Sequence, residues 1–121
     1  MSFLTMLSSL FKPAPRATPT EYGAKIRSGD ALLIDIRESD EWTGGVAETA
    51  ALLPISELRA PSAAWRDFLA KAGQREVLLY CASGTRSAMA VRHLLSQGVR
   101  ALNAGGLADW AAAGWPIVKP K

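Results

Sequence analysis

Two short apolar runs constrain the fold of this 121-residue chain more than anything else in it: Ala31-Leu32-Leu33-Ile34-Asp35-Ile36 and Glu76-Val77-Leu78-Leu79-Tyr80. Neither alternates between apolar and polar residues. A strand with one face in water would alternate, so each run fits a strand covered on both faces, as in a parallel sheet. The stretches around them have the helical period instead. Thr18, Pro19 and Glu21 form a capping box with proline at the first helical position, and Gly29 closes that helix. Ser62 opens a second helix in which Trp65, Phe68, Leu69 and Ala72 recur at i, i+3, i+4 and i+7, with Gly73 just past its end. Residues 87–97 repeat the pattern, with Ala88, Val91, Leu94 and Leu95 on one face and Gly98 as the stop. Residues 50–53 and 99–102 are shorter strand candidates, and residues 107–113 form a last helix ended by Gly114. Strands alternating with helices at short intervals predict an α/β fold: an open, mostly parallel sheet of about four to five short strands with helices on both faces.

A chain of this length fits one domain and hides roughly two-thirds of its unfolded surface, so it needs neither disulfide nor metal to fold. It has a single cysteine, Cys81, which excludes an intramolecular disulfide and zinc sites built on paired cysteines. With one histidine, His93, no metal site is expected, and no cofactor is implied. The net charge is +3, but the basic residues are spread along the chain, which fits a solvated surface and not a nucleic-acid footprint. Residues 1–11 (MSFLTMLSSLF) are apolar but shorter than the roughly 20 residues that span a bilayer. Their positive charge, Lys12, follows the apolar stretch, against the order of a secretory signal. A short amphipathic helix docked on the domain is expected there, and Pro13, Pro15 and Pro19 make the next segment an extended linker. Residues 1–17 are thus set apart from a folded domain at 18–121, and a cytoplasmic protein is expected.

Ligands of open α/β sheets bind beyond the carboxyl ends of the strands. That rule points to Cys81-Ala82-Ser83-Gly84-Thr85-Arg86-Ser87, between a buried strand and a helix start. Successive backbone N–H groups in such a loop converge into an anion nest, and the helix adds its positive end. Arg86 brings a permanent, forked cation suited to oxyanions, and Gly84 allows a tight turn. Together these features favour a thiolate at Cys81. Ser83, Thr85 and Ser87 have hydroxyls to offer the sulfur, although Ser87 also suits a helix cap. Asp35 and Arg37, at the end of the first strand, are expected to brace the loop by hydrogen bonds. Glu41 is expected to act as a scaffold acid bonded to backbone N–H groups. His93 and the four tryptophans, Trp42, Trp65, Trp110 and Trp115, are assigned to surface and packing.

The loop of residues 81–87 resembles the C-x-x-G-x-R-S active-site loop of rhodanese domains. Leu32-Leu33-Ile34-Asp35-Ile36-Arg37 with Glu41 and Trp42 is similar to that family's early LIDVR…E-F/W segment. Gly105-Gly106 with Trp110, Gly114 and Pro116 is similar to its closing GG…W…G-x-P stretch. The three matches occur in the family's order and cover roughly residues 18 to 118. The resemblance implies a sulfurtransferase that takes a sulfane sulfur from thiosulfate or another persulfide donor onto Cys81. The sulfur then passes to cyanide, a small thiol or a protein thiol. Residues 82–87 would hold the sulfur, with Arg86 steering the donor anion. Two positions depart from the pattern. Val46 stands where the family has the histidine of GHIPGA, and Ala82 supplies no charge beside the cysteine. Only Ala82, Ser83, Gly84 and Thr85 lie between Cys81 and Arg86. Phosphatases of the same fold place five residues there to surround a phosphate, so phosphatase or arsenate reductase chemistry is the weaker alternative. A relay module that delivers persulfide to a partner protein is the stronger one.

Overall fold

In the computed structural model, which describes residues 14–120, the chain runs α1 (Pro19–Ser28), β1 (Ala31–Asp35), α2 (Ser39–Trp42), β2 (Val46–Ala47), β3 (Ala51–Leu52), a 3-10 turn (Ile55–Glu57), α3 (Ala63–Ala72), β4 (Glu76–Cys81), α4 (Thr85–Ser96), β5 (Ala101–Gly106), α5 (Leu107–Ala112) and β6 (Ile117–Val118). β1, β3, β4 and β5 form one parallel sheet in the order β3-β1-β4-β5. The two apolar runs are its central strands, paired from Ala31↔Glu76 to Asp35↔Tyr80.

Side chains alternate across these strands and divide the core in two. Val77, Leu79 and Cys81 of β4 face Trp65 of α3 and Ala90, Val91 and Leu94 of α4. Leu78 and Tyr80 face the other way, among Ile26 of α1, Trp110 of α5 and Trp115. Trp65 and Trp110 are wholly buried, and each indole N–H has a carbonyl to donate to, that of Pro54 and of Ala104 respectively, both at 2.9 Å. Large rings can therefore fill both layers without leaving an indole N–H unpaired. Trp115 adds an edge contact to Trp110 at 5.1 Å between ring centres.

The structure moves several expected boundaries. α4 begins at Thr85, two residues earlier than its apolar pattern, because Gly84 at φ 93° turns the chain directly into the helix. β5 begins and ends later than expected, running through Asn103 to Gly106. Asn103 is accommodated within the strand because both ends of its side-chain amide find partners below the cysteine loop. Of the segment expected as an extended linker, residues 14–17 lie extended and bonded against β5. Ala17 N–H donates to Asn103 C=O at 3.0 Å, and Asn103 N–H donates to Pro15 C=O at 2.7 Å. The helix expected for residues 1–11 lies outside the described residues. A small antiparallel ribbon, Val46↔Val118 and Ala47↔Ile117, was not anticipated, because two-residue strands carry no periodic signal. Among the described residues, no helix is long and apolar enough to cross a membrane.

Between β2 and β3 the chain turns through residues 47–50, closed by Ala50 N–H on Ala47 C=O at 3.1 Å. Thr49, at the third position of this turn, has φ 73°, a left-handed conformation that opposes a β-branched side chain. Thr49→Gly should therefore stabilise the domain by about 1 kcal/mol despite glycine's greater freedom in the unfolded chain, read as a higher urea midpoint at unchanged slope.

Candidate active site

Cys81 is the last residue of β4, and the alternation of that strand turns its side chain toward α4. Pairing with β5 slips at this point: Leu79 lies opposite Asn103, but Cys81 lies opposite Gly106. The extra residue is absorbed by Gly105, at φ 76°. The bulge sets Gly106 directly beneath the loop, where a Cβ would stand 2.3 Å from the Ala82 carbonyl oxygen. Gly106 itself has an ordinary backbone angle, so it is the close approach that calls for glycine.

Gly84 bends the loop back over the sulfur. Its N–H donates to Cys81 Sγ at 3.0 Å, and the Ser87 hydroxyl lies 3.5 Å from the same atom. Cys81 is only 1% exposed, whereas Ala82, Ser83 and Thr85 above it face solvent. Burial pushes the thiol up, but the hydrogen bonds open to a thiolate from the Ser87 hydroxyl and from the N–H groups of Ser87, Ser83 and Gly84 outweigh it. The thiol is held below its ordinary value. The result is a shielded sulfur poised toward the thiolate.

The remaining predicted site residues fall into two groups. Ser83 and Thr85 place their hydroxyls 3.4 Å from each other at the exposed rim, and neither bonds the sulfur. Ser87 does not cap α4; it is buried inside the first turn, beside Sγ. Arg86 was expected to hold a donor anion with its fork, but the fork is taken by Glu41, with contacts of 2.6 and 2.8 Å. Glu41 does accept a backbone N–H as expected, from Glu38 at 3.1 Å. Its carboxyl is held at about 2, chiefly by the Arg86 guanidinium against the cost of burial.

Asp35 and Arg37 do not brace the cysteine loop directly. Arg37 turns back on Asp35, with contacts of 2.8 to 3.1 Å, and donates to the carbonyls of Glu41 and Gly45 at 3.3 and 2.7 Å. It therefore fixes residues 41–45, and its support reaches the loop only through the Glu41–Arg86 pair. The Tyr80 hydroxyl donates to Asp35 at 2.7 Å and accepts Ala47 N–H at 2.9 Å, tying β2 to the same cluster. His93 lines a groove with Ile55, Leu58 and Met89 and takes no part around the sulfur.

One residue near the sulfur was missed altogether. Asn103, 5% exposed, donates to the Gly84 carbonyl at 3.1 Å and accepts from the Ser87 hydroxyl at 2.6 Å and from Gly105 N–H at 3.0 Å. The available signal was an amide next to the small residues of Ala101-Leu102-Asn103-Ala104-Gly105-Gly106, in what should be a covered strand.

A thiol folded under a loop that turns a backbone N–H onto it, at the carboxyl end of a central parallel strand, defines a cysteine-centred α/β domain. The family model of the rhodanese-like domain matches residues 18–113, and the chain belongs to that family. It is 38% identical over 99 residues to a sulfurtransferase of Allochromatium vinosum, covering 76% of this chain and 82% of that protein. It is 39% identical over 100 residues to the uncharacterized protein slr1261 of Synechocystis, covering 80% of this chain but 52% of the relative, about half its length. Among solved structures, the human single-domain sulfurtransferase TSTD1 superposes with a TM-score of 0.69 at 27% identity, covering 82% of this chain and 96% of that one.

Two outcomes follow from this geometry. Gly106→Ala should cost about 1–3 kcal/mol and slow alkylation of Cys81, because the Ala82 carbonyl must move; unchanged thermal stability and unchanged alkylation would contradict the close contact. Glu41 has a depressed carboxyl, so its ion pair stabilises the fold above the ordinary carboxylate range and the contribution is lost as pH falls toward 2. Glu41→Gln should thus be less stable than the parent by about 1 kcal/mol above pH 5, with the difference closing between about pH 4.5 and 2 in urea unfolding.

Proposed function

We propose that this protein is a sulfurtransferase that moves a sulfane sulfur from thiosulfate or another persulfide donor to a thiol or cyanide through a Cys81 persulfide. The observation that carries the reading is the Gly84 N–H aimed at Sγ from 3.0 Å, inside a loop whose N–H groups face the sulfur together. In the first half-reaction the thiolate attacks the outer sulfur of thiosulfate; the S–S bond to the sulfonate breaks, sulfite leaves with its electron pair, and Cys81–S–S⁻ remains. In the second, cyanide or a thiolate attacks the terminal sulfur, giving thiocyanate or a new persulfide and returning the Cys81 thiolate. The N–H groups of residues 82–87 stabilise the anion on the outer sulfur. No general base is needed when the thiol is already poised to ionise. Four residues between Cys81 and Arg86 resemble the shorter loop of sulfurtransferases and not the five-residue loop with which phosphatases of this fold surround a phosphate.

One observation favours delivery of sulfur between proteins over rapid turnover of free thiosulfate. Both terminal nitrogens of Arg86 are on Glu41, which offsets its charge, and Ala82 adds none, so the loop offers a dianion less cationic help than an unpaired guanidinium would. A protein persulfide carries its sulfur in without that need.

Intact-mass measurement decides the reading. The reduced protein should gain one sulfur atom on incubation with thiosulfate or with a persulfide-loaded cysteine desulfurase, and lose it to cyanide with formation of thiocyanate. Cys81→Ser should gain none. Loading from the desulfurase alone would assign a relay; loading from neither donor would overturn the sulfurtransferase reading.

A further inference from the structure

The Ser87 hydroxyl has one proton and two neighbours that compete for it. Its oxygen lies 2.6 Å from Asn103 Oδ1 and 3.5 Å from Cys81 Sγ. The orientation of the Asn103 amide is fixed by its other bonds: Nδ2 donates to Gly84 C=O, and Oδ1 accepts Gly105 N–H. Turned over, the amide would set its NH2 group against an N–H and its oxygen against a carbonyl. Oδ1 has no proton to give, so the short contact requires Ser87 to donate. The Ser87 oxygen then meets the sulfur with lone pairs alone. That arrangement accepts a thiol S–H and opposes a thiolate. Ser87 and Asn103 are 0% and 5% exposed, so the competition is settled inside the protein.

We propose that Asn103 is a positioning residue for the sulfur: it holds the Ser87 proton away from Cys81 in the resting thiol and releases it when the sulfur ionises. Ionisation thus requires the hydroxyl to leave its short bond with Asn103 and turn to Sγ. The same preference favours the loaded protein. A persulfide carries its charge on the outer sulfur, under the loop N–H groups, and its neutral inner sulfur tolerates the Ser87 lone pair while the proton stays with Asn103. The inference rests on Cys81 being the reactive sulfur. The charged groups that face this end of the sheet are Arg86 of α4 with Glu41, Arg37 with Asp35 beyond β1, and Asp109 of α5 on the Gly106 N–H. The substitutions below leave all of them in place.

The test is a double-mutant cycle read by iodoacetamide alkylation of Cys81 across pH. Asn103→Ala frees the Ser87 hydroxyl to donate to the thiolate, so below the midpoint alkylation should run about three- to tenfold faster, with the profile displaced to lower pH. In a Ser87→Ala background the same substitution should leave the profile where it was. Equal changes in both backgrounds, or slower alkylation in the first, would show that Asn103 merely shapes the loop and would overturn the proposal. Should Asn103→Ala not fold, the Asn103 side-chain amide can be followed by NMR in the unsubstituted protein and in Ser87→Ala. Its resonance should titrate with Cys81 in the former and stay fixed in the latter, and a static resonance in the former would overturn the proposal equally. Alkylation needs only the thiol, so failure to load sulfur would sink the sulfurtransferase reading and leave this cycle to stand or fall alone.

Discussion

Asp35 has no exposed surface, and a bare carboxylate in that position would cost several kcal/mol. It is tolerated because the Arg37 fork, the Arg37 backbone N–H and the Tyr80 hydroxyl all donate to it. The cluster that results joins the two central strands, since Asp35 ends β1 and Tyr80 lies opposite it on β4. It also reaches outward. Tyr80 accepts Ala47 N–H and so locates the β2–β6 ribbon, while Arg37 holds the carbonyls of Glu41 and Gly45. Glu41 in turn takes Arg86, the residue before Ser87. Removing either partner of the buried pair would leave the other uncompensated, and the disturbance would travel along this chain to the sulfur.

The site uses the two faces of the sheet for separate work. Strand alternation puts Tyr80 on the side of Asp35 and Cys81 on the side of α4, one residue apart. The charges are gathered into pairs, Asp35 with Arg37 and Glu41 with Arg86, and of these groups the Arg86 guanidinium also feels the charge of a Cys81 thiolate. The Gly84 N–H meets Sγ at 3.0 Å, and the Ser87 oxygen lies 3.5 Å from it. A backbone donor held by the loop stabilises an anion on sulfur without having to reorganise.

The glycines around the loop show two distinct physical needs. Gly84 has a left-handed backbone that turns the chain into α4 directly after its N–H has met the sulfur. Gly106 has an ordinary backbone and is required by the Ala82 carbonyl pressed against it. A sequence shows glycine in both cases; only the packing separates the reasons.

Much of this domain was legible in the sequence. Apolar runs without alternation fit strands covered on both faces, which β1 and β4 are, and the rule for open α/β sheets pointed to Cys81 and the loop after it as the candidate site. Those features are local or periodic, and local chemistry dictates them. What the tertiary structure alone decided is who pairs with whom. Arg37 and Arg86 were both legible as cations near the loop, but whether a guanidinium faces a ligand or a carboxylate depends on residues up to 45 positions away, as Glu41 is from Arg86. The ribbon of β2 and β6 and the role of Asn103 were hidden for the same reason. A two-residue strand has no period, and an amide acquires a function only when folding carries Gly84 and Ser87 to within hydrogen-bond reach of it.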